Sequence, residues 1–378
     1  MGKRHYYIDT RILAVFFLVS MPFVVFGSFV VVRMARGLLQ DSVGGSLEQR
    51  ALQTKLLLER YVGDQVVHLR LLALEDSVRQ ALQSPARPPS PDDVKRIEQA
   101  WVSGNDAKSL EPLLGSSLAL RLRELTQVRP AVKLVQVVDN QGRLVASSSR
   151  AGRVLHAETP WFGSLSTEGT EMGPYVGDLH RPVGGRVAVL DIGYPVDLSD
   201  GRRLGAVYAT IDALDLYTVL APVRIGRTGH ALLLRANDGL ILASDESQKI
   251  LQDPYPGLPA IEAAMRERHG FWVVPETREK TKEGGSQVIL EPTRLVGYSQ
   301  VEQVPGVQWL VVVEQDLSEA MAPVDGITHY LWMHFVGVFA TVILLALYFS
   351  FKLEVPVIEE GLHLHEEHMP SGAKQAES

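Results

Sequence analysis

Two long apolar runs lie near opposite ends of the chain and dominate its pattern of hydrophobic and polar positions. The first covers residues 12–32 and the second covers residues 330–351. The first run contains no charged residue, and a helix of roughly 21 residues is long enough to cross the hydrocarbon core of a bilayer. Each run therefore predicts a transmembrane helix. A cleaved signal peptide is the alternative for the first run, although its apolar stretch is usually about 7 to 15 residues long.

The basic residues beside these runs indicate how the chain is oriented. Three of them precede the first run and one follows the second directly: Lys3, Arg4, Arg11 and Lys352. Lys and Arg are in excess on the cytoplasmic flanks of membrane helices. Both termini are therefore predicted to be cytoplasmic, with residues 33–329 on the other side of the membrane. Arg33 and Arg36, just after the first run, argue for the opposite orientation.

A helical pattern follows the first run from about residue 33 to residue 84. Apolar residues recur at three- and four-residue steps, which places them on one side of a helix. They are Leu47, Ala51, Leu52, Leu56, Leu58, Val62, Val66, Leu69, Leu72 and Leu74. We expect a stalk helix that, together with the transmembrane helices, forms the surface of a homodimer. The alternative is that the stalk packs on its own domain, and both arrangements are compatible. The pair Gly44-Gly45 predicts a break in this helix, and the proline-rich residues 85–93 end it.

The middle of the chain contains an internal repeat. The segment LVQVVDNQGRLVASS (residues 134–148) recurs as ALLLRANDGLILASD (residues 231–245), with an aliphatic run on each side of a turn that contains Asn and Gly. This pattern predicts a β-hairpin in each copy. A later pair, GAVYATID (205–212) and WLVVVEQD (309–316), repeats as well. Two tandem copies of one α+β unit explain both repeats.

The composition fits a folded, exported middle region and excludes several functions. The chain has 46% apolar residues, 21% charged residues and a formal net charge of −7. It is therefore not disordered as a whole, and it has no basic field for nucleic acid. It contains no cysteine, which excludes disulfides, thiol catalysis and cysteine metal sites.

The motifs of several enzyme classes are absent from the sequence. It has no GxxxxGK[ST], GxSxG or HExxH motif. In the tail, His365 and His368 are three residues apart, whereas HExxH places its two histidines four apart on one helix face. His363, His365 and His368 are weak metal candidates, and a solvated tail is the alternative. We therefore predict no enzymatic activity, no cofactor and no dedicated metal site.

The order of these features is similar to that of a known family. After the long helix and the first hairpin come Trp161-Phe162, Gly173-Pro174-Tyr175, the segment DIGYPVDLSDGRRLGAVYATIDALDLYTVL (191–220), the second hairpin and VGYSQVEQVPGVQWLVVVEQD (296–316). Over residues 33–329 the chain resembles the double Cache sensor domain of bacterial transmembrane receptors. The resemblance implies an α+β fold with a long N-terminal helix and two tandem PAS-like units, which are antiparallel sheets with flanking helices, between two transmembrane helices.

The resemblance also implies a location and a division of the chain. The protein would lie in the inner membrane of a bacterium, with residues 33–329 in the periplasm as a double Cache domain. The expected parts are a cytoplasmic N-terminus (1–11), the first span (12–32), a stalk helix (about 33–84), a membrane-distal unit (about 85–220), a membrane-proximal unit (about 221–329), the second span (330–351) and a short acidic cytoplasmic tail (352–378).

The resemblance further implies a small-molecule ligand in the membrane-distal unit. Family members that bind amino acids carry an Arg two residues before the Trp and an Asp in the last strand of the unit, where this chain has Thr159 and Thr210. The candidate ligand-binding residues are Trp161, Phe162, Tyr175, Asp178, Asp191, Tyr194 and Thr210. Two carboxylates beside aromatic rings favour a cationic or amine ligand. Alternatively, the rings belong to the core and the aspartates to solvated turns.

The residues after the second run bear on the output of the protein. KLEVPVIEEG (352–361) resembles the opening of a HAMP linker, and the remaining residues are too few for an output domain. We therefore expect a membrane-anchored extracytoplasmic sensor that signals through a separate histidine kinase, chemoreceptor or other signalling protein. The alternative is a non-signalling binding or scaffold module, or a receptor that has lost its output half.

Overall fold

The chain divides into two compact units. The computed structural model describes residues 10–83, 91–166, 173–182, 187–244, 250–252, 254–255, 267–275, 277–280 and 288–352. One unit is Ala35–Pro323. The other combines Met1–Met34 with Val324–Ser378, of which residues 10–34 and 324–352 are described.

The helices lie before, between and after the strands. They are α1 (Thr10–Leu74), α2 (Asp76–Gln83), α3 (Pro91–Ser103), α4 (Ala107–Leu114), α5 (Ser117–Val128), α6 (Pro160–Ser166), α7 (Leu214–Leu220) and α8 (Leu317–Lys352). Two of them begin at side-chain caps, since Asp106 accepts a hydrogen bond from the Ser109 N–H and Ser116 accepts one from the Ala119 N–H, both at 3.2 Å. These caps fix where α4 and α5 start.

The strands form two five-stranded antiparallel sheets and one separate hairpin. The first sheet has the order β2-β1-β5-β4-β3, and the second has the order β7-β6-β12-β11-β8. The strands are β1 (Val132–Asp139), β2 (Leu144–Ser147), β3 (Tyr175–Val176), β4 (Val189–Asp197), β5 (Arg203–Asp212), β6 (His230–Arg235), β7 (Ile241–Ser244), β8 (His269–Val274), β9 (Thr277–Lys280), β10 (Val288–Glu291), β11 (Arg294–Gln300) and β12 (Trp309–Asp316). Strands β9 and β10 pair with each other.

The predicted repeat is confirmed at the level of topology. Each sheet begins with a hairpin, β1-β2 or β6-β7, and each places the last strand of its unit beside the first. Gly142 and Gly239 occupy the two hairpin turns with φ of +75° and +70°. Glycine adopts this left-handed conformation without steric cost, which explains why both copies carry it. The mixed α+β fold with a long N-terminal helix and two antiparallel sheets is the predicted one.

Helix α1 packs against the second sheet by close backbone contact. A Cβ on Gly297 of β11 would lie 2.2 Å from the carbonyl carbon of Leu47, and one on Gly44 of α1 would lie 2.3 Å from the Phe271 ring. Gly44 therefore permits close packing and does not break the helix, so the predicted break at Gly44-Gly45 is wrong. The helix instead ends at Leu74, and α2 continues from Asp76.

The inner faces of both sheets share one hydrophobic core with α1. Its members include Leu47 and Leu58 from α1, Val207 from β5 and Val311 from β12, all essentially inaccessible to solvent. The opposite face of each sheet, here called its outer face, has a smaller core of its own. The outer faces are where the two sheets differ.

Two helices are long and apolar enough to cross a membrane. The candidate spans lie within Met21–Leu74 of α1 and Leu317–Leu345 of α8, and the most apolar part of each is unburied. The two spans flank the sheets in sequence, as expected. The histidines proposed as weak metal candidates, His363, His365 and His368, lie outside the described residues.

Candidate ligand-binding site on the first sheet

The register of the first sheet brings one row of side chains together on its outer face. Gln136 of β1 pairs with Tyr208 of β5, Tyr208 pairs with Gly193 of β4, and Gly193 pairs with Tyr175 of β3. Directly paired residues in an antiparallel sheet project from the same face. The row therefore runs across four strands with a glycine between two tyrosines.

An aromatic cluster covers this row. The Trp161 ring, from the start of α6, stacks on Tyr208 with ring centroids 4.7 Å apart, and Phe162 meets Trp161 edge to face at 5.7 Å. Gly193 makes room for this helix, because a Cβ there would lie 2.9 Å from Leu165 and 3.2 Å from the Trp161 ring. Trp161 and Phe162 are buried, so they form the apolar wall of the site.

A carboxylate lies beside the cluster in the next row. Asp191 of β4 pairs with Thr210 of β5, and the Thr210 hydroxyl donates a hydrogen bond to Asp191 Oδ1 at 2.8 Å. The same hydroxyl lies 3.3 Å from the Tyr208 hydroxyl. His180 Nε2 lies 3.5 Å from Asp191 Oδ2. The Asp191 side chain is 17% exposed, so the carboxylate is partly desolvated and still accessible.

Burial, and after it the charge of this carboxylate, shifts the pKa values of two tyrosines in the site. Burial and then the negative charge of Asp191 raise the pKa of the Tyr208 hydroxyl far above its ordinary value. Burial, Asp191 and Asp178, in that order, also raise the pKa of Tyr175. Both phenols therefore stay protonated, and the site presents neutral rings and one anion.

His156 adds a buried acceptor at the edge of the cluster. Its ring centroid lies 5.1 Å from that of Trp161, and its Nε2 lies 2.9 Å from the Arg153 carbonyl oxygen. Because a carbonyl only accepts, Nε2 carries the proton, and burial lowers the pKa of His156 to about 4. Nδ1 is then an acceptor, and among the described residues it has no hydrogen-bond partner. The same holds for Oε1 of the buried Gln136.

Two of the predicted ligand-binding residues lie elsewhere. Tyr194 projects from the inner face and packs against the core shared with α1, because side chains alternate along β4. Asp178 contacts the second sheet, where its Oδ1 accepts a hydrogen bond from Trp309 Nε1 at 2.7 Å and its Oδ2 lies 3.1 Å from Arg235 Nη1. Neither residue forms a wall of the cluster.

Thr159 stands where the family resemblance implies an arginine, and it belongs to a local turn. Thr159 Oγ1 donates a hydrogen bond to the His156 carbonyl oxygen at 2.6 Å, just before α6. Its side chain thus stabilises the entry to the helix. The described part of the cluster accordingly holds an anion and rings without the guanidinium that would bind a carboxylate.

Sequence reasoning missed four contributors to the site, namely Tyr208, His180, His156 and Gln136. Tyr208 was detectable, since it alternates with Thr210 along GAVYATID and so shares its face. Gln136 becomes visible only when β1 is paired with β5, a pairing that the sequence does not specify by itself. His156 and His180 lie in loops, where no periodicity identifies them.

The Cache domain family model matches residues 36–324, which is most of the chain. The protein therefore belongs to the Cache domain family. Members of this family are ligand-sensing extracytoplasmic domains, and the two candidate spans that flank the domain fit such a membrane-bound receptor.

The chain also resembles an individual curated protein over part of its length. The chain is similar to the methyl-accepting chemotaxis protein McpA of Pseudomonas putida, with 26% identity over 170 residues. The match covers 44% of this chain and 23% of that relative, so it spans about a quarter of the relative's length.

Solved structures that are similar to this chain include ligand-binding domains of chemoreceptors. One is the domain of the amino acid chemoreceptor PctC of Pseudomonas aeruginosa in complex with GABA, at 15% identity and a TM-score of 0.45, covering 72% of this chain and 100% of that one. Another is the domain of Campylobacter jejuni chemoreceptor Tlp3 in complex with 4-methylisoleucine, at 13% identity and a TM-score of 0.48, covering 75% and 94%.

Proposed function

We propose that the protein is an extracytoplasmic sensor for a small amine or other organic cation, bound on the outer face of the first sheet. The observation that carries this proposal is the partly exposed Asp191 carboxylate beside the stacked rings of Trp161 and Tyr208. A carboxylate and the face of an aromatic ring both attract positive charge. The cation would lie near Asp191, with its apolar part against the rings.

The hydrogen-bonding groups of the cluster support the same ligand class. His156 Nδ1 and Gln136 Oε1 are buried acceptors without a partner among the described residues. A buried unsatisfied acceptor costs about 1–3 kcal/mol, which a ligand N–H group or a water molecule can offset. An ammonium group carries only donors, so it matches this set of acceptors better than a carboxylate does.

The segment after β3 would transmit a movement at this site to the second sheet. Tyr175 contributes to the outer-face row, and His180 lies beside Asp191. Between them, Asp178 accepts a hydrogen bond from Trp309, the first residue of β12. A ligand that moves Tyr175 or His180 would therefore move a group attached to the second sheet. Strand β12 leads directly into α8, which contains the second candidate span.

We further propose that two copies associate through the stalk part of α1. Its solvent-exposed side carries the apolar residues Leu56, Val67, Leu71 and Leu74, which are 49–58% exposed. Successive residues of this set are eleven, four and three positions apart, so all four lie on one helix face. A second copy presenting the same stripe would bury them as a symmetric interface.

We propose that the protein signals through a separate partner, such as a histidine kinase or a chemoreceptor, which it contacts through the membrane helices. Both termini would be cytoplasmic and the sheets periplasmic, in a bacterial inner membrane. A non-signalling binding or scaffold module is the second candidate. Purification from detergent-solubilised membranes separates the two, because a specific kinase or chemoreceptor partner supports signalling and its absence favours the scaffold.

A thermal-shift and calorimetric screen of the full chain in detergent micelles tests the ligand class. We expect at least one of ethylamine, putrescine and choline to raise the unfolding temperature. Asp191→Asn should abolish this shift, whereas Asp197→Asn, on the same strand and paired with Arg203 at 2.6 Å, should preserve it. The proposal fails if none of the three amines stabilises the protein, or if Asp191→Asn binds them as the parent chain does.

The absence of cysteine makes the dimer and the orientation directly testable. Val67→Cys should form a disulfide-linked dimer under mild oxidation, whereas His68→Cys, exposed but about 100° around the helix, should not. Asp200→Cys, in the exposed turn between β4 and β5, should react with a membrane-impermeant maleimide in intact spheroplasts. Equal cross-linking at 67 and 68, or labelling at 200 only after lysis, would contradict the respective proposal.

A further inference from the structure

An imidazole faces the carboxylate of the candidate site on the first sheet. Asp191 Oδ1 accepts a hydrogen bond from the Thr210 hydroxyl at 2.8 Å, and Asp191 Oδ2 lies 3.5 Å from His180 Nε2. One carboxylate oxygen is therefore bound to its own sheet, and the other is turned to the imidazole. The pair of Asp191 and His180 is negative when the imidazole is neutral and has no net charge when the imidazole is protonated.

The main chain holds His180 in this position. Its N–H donates a hydrogen bond to the Val189 carbonyl oxygen at 3.1 Å, and its carbonyl oxygen accepts one from the Val189 N–H at 2.8 Å. Three residues earlier, the Gly177 N–H donates to the Asp191 carbonyl oxygen at 2.8 Å. The segment that carries His180 is thus paired with β4 at Val189 and at Asp191 itself. The contact between the two side chains is built on paired main chains.

The second ring nitrogen decides which form of the imidazole can donate to Asp191. His180 Nδ1 lies 3.3 Å from the Asp178 carbonyl oxygen. Because a carbonyl oxygen only accepts, Nδ1 carries the proton in the neutral ring, and Nε2 is then an acceptor. The neutral ring consequently turns a lone pair towards Asp191 Oδ2. Only the protonated ring can donate a hydrogen bond from Nε2 to this oxygen.

The other titratable rings of the cluster keep one charge state near neutral pH. Burial and then the charge of Asp191 raise the pKa values of Tyr175 and Tyr208, so both phenols stay protonated. Burial lowers the pKa of His156 to about 4, so this imidazole stays neutral. None of these three rings changes its charge between about pH 5.5 and about pH 8, whereas a histidine side chain ordinarily gains or loses its proton in this range.

The charged groups on the segment of His180 have partners beyond the first sheet. Asp178 Oδ2 lies 3.1 Å from Arg235 Nη1, and Arg181 donates a hydrogen bond from Nη2 to the Ile250 carbonyl oxygen at 3.1 Å. Within the part of the chain that the structure describes, His180 is therefore the group whose charge changes beside Asp191 near neutral pH.

An ammonium group fits the neutral state of this pair. His180 Nε2 and Asp191 Oδ2 are then two acceptors 3.5 Å apart, and one ammonium group can donate to each of them at about 2.9 Å. In the protonated state Nε2 donates to Oδ2 itself, and the positive ring repels a cation. Protonated His180 and an amine ligand therefore compete for the same carboxylate oxygen.

We propose that His180 controls the access of the amine to Asp191 and makes amine binding depend on pH. The neutral ring accepts a hydrogen bond from the amine beside Asp191, and the protonated ring occupies Asp191 and excludes the amine. This inference rests on the amine site proposed above. The sensor then binds the same amine more tightly in neutral than in acidic surroundings.

Isothermal titration calorimetry of the full chain in detergent micelles, at about pH 5.5 and about pH 8, tests this inference with ethylamine, putrescine and choline. All three probes are fully cationic at both pH values, so a change in affinity comes from the protein. We expect each probe that binds at the higher pH to bind about five- to tenfold more weakly at the lower pH, as expected for a competing histidine that titrates between them.

Three variants separate His180 from other causes of a pH dependence. The His180 side chain is 47% exposed, so its replacement should keep the fold. His180→Gln is neutral at both pH values and should bind the probe with the same affinity at both. His180→Lys is cationic at both and should bind weakly at both. His269→Gln is the control, because His269 is also exposed and lies 2.6 Å from a carboxylate, that of Glu48, and it should keep the pH dependence of the parent chain.

The outcomes distinguish this inference from the amine site itself. Equal affinity of the parent chain at both pH values, or a pH dependence that survives in His180→Gln, would overturn the inference and leave the amine site intact. Loss of the pH dependence in His269→Gln would assign the titrating group to the second sheet and would overturn the inference as well. Binding of none of the three probes at either pH would overturn the amine site and this inference with it.

Discussion

On the outer face of the first sheet the central acid is Asp191 on β4, and on that of the second sheet it is Glu314 on β12. Asp191 is 17% exposed and is hydrogen-bonded by Thr210. Glu314 is 1% exposed and is enclosed by Arg294, His230 and the Tyr255 hydroxyl. The same topology thus presents one acid to incoming ligands and uses the other to hold its own sheet together.

The two outer faces also differ in the positions of a paired glycine and tyrosine. In the first sheet Gly193 is central and Tyr175 is on the edge strand, whereas in the second sheet Tyr298 is central and Gly270 is on the edge strand. The central glycine admits α6 and its Trp161 ring. The central tyrosine instead fills the corresponding space of the second sheet. The central glycine therefore leaves room for α6 over the middle of the first sheet, at the position where the second sheet has the side chain of Tyr298.

The largest difference between the sheets is expected when each acid is neutralised. Glu314→Gln should lower the free energy of unfolding by about 3–5 kcal/mol, because it removes the buried negative charge that contacts Arg294 and the Tyr255 hydroxyl. Asp191→Asn should lower it by only about 1 kcal/mol, since it keeps a polar group at a partly exposed position. Urea unfolding of the full chain in micelles measures both. Similar losses in the two variants would contradict the assignment of different roles.

The next largest effect is a pH dependence of stability that comes from His156, beside the first sheet. Burial lowers the pKa of His156 from its ordinary 6.5 to about 4, so the unfolded chain binds a proton that the folded chain does not. This contribution to stability is complete above pH 6.5 and is lost as the pH falls towards 4. The loss amounts to about 3 kcal/mol. His156→Phe should flatten this part of the pH dependence, and an unchanged slope in that variant would contradict the burial of a neutral imidazole.

Alanine substitutions at the two glycines should have smaller effects on stability. Gly193→Ala should cost about 1–3 kcal/mol, because the new methyl group would displace Leu165 and the bulky Trp161 ring. Gly270→Ala should cost less, because its nearest neighbour, at 2.9 Å, is the hydroxyl end of Tyr298. Thermal unfolding with near-ultraviolet circular dichroism reports both stability and the environment of Trp161. A larger loss of stability in Gly270→Ala than in Gly193→Ala would contradict this prediction.

The smallest effect is expected at the contact that joins the sheets. Asp178 and Arg235 are each 32% exposed, so solvent screens their attraction, and a double-mutant cycle of Asp178→Asn with Arg235→Gln should give a coupling of about 0.5–1 kcal/mol. Asp178→Asn should also reduce the protection of β12 amides that an amine ligand produces in hydrogen exchange. A cycle of Asp197→Asn with Arg203→Gln, within the first sheet, should leave that protection unchanged. Equal loss in both variants would exclude Asp178 as the link.

The sequence predicted the parts of this molecule that depend on local patterns. The two hairpins followed from turns that place Gly142 and Gly239 at positive φ. Four of the predicted ligand-binding residues, Trp161, Phe162, Asp191 and Thr210, lie together on the first sheet, and their role in binding stays a prediction. Alternation along β4 would also have placed Tyr194 on the face opposite Asp191.

Contacts between distant segments were not predictable in this way. Asp178 was assigned to the ligand site because of its chemistry, but its partners Arg235 and Trp309 lie 57 and 131 residues further along the chain. A side chain can turn to either of two neighbouring surfaces, and only the packing of the two sheets decides between them. The break expected at Gly44 failed for the same reason, since the partner that requires a glycine there is Phe271.

The contact between Gly297 and α1 determines which motions of the stalk are easy. The main chain of Leu47 and Glu48 fills the volume where residue 297 would otherwise carry a Cβ. Sliding α1 along β11 would force other side chains of the helix into this notch, whereas tilting about it would keep the contact intact. The close approach at Gly297 therefore makes tilting of the stalk against the second sheet less costly than sliding.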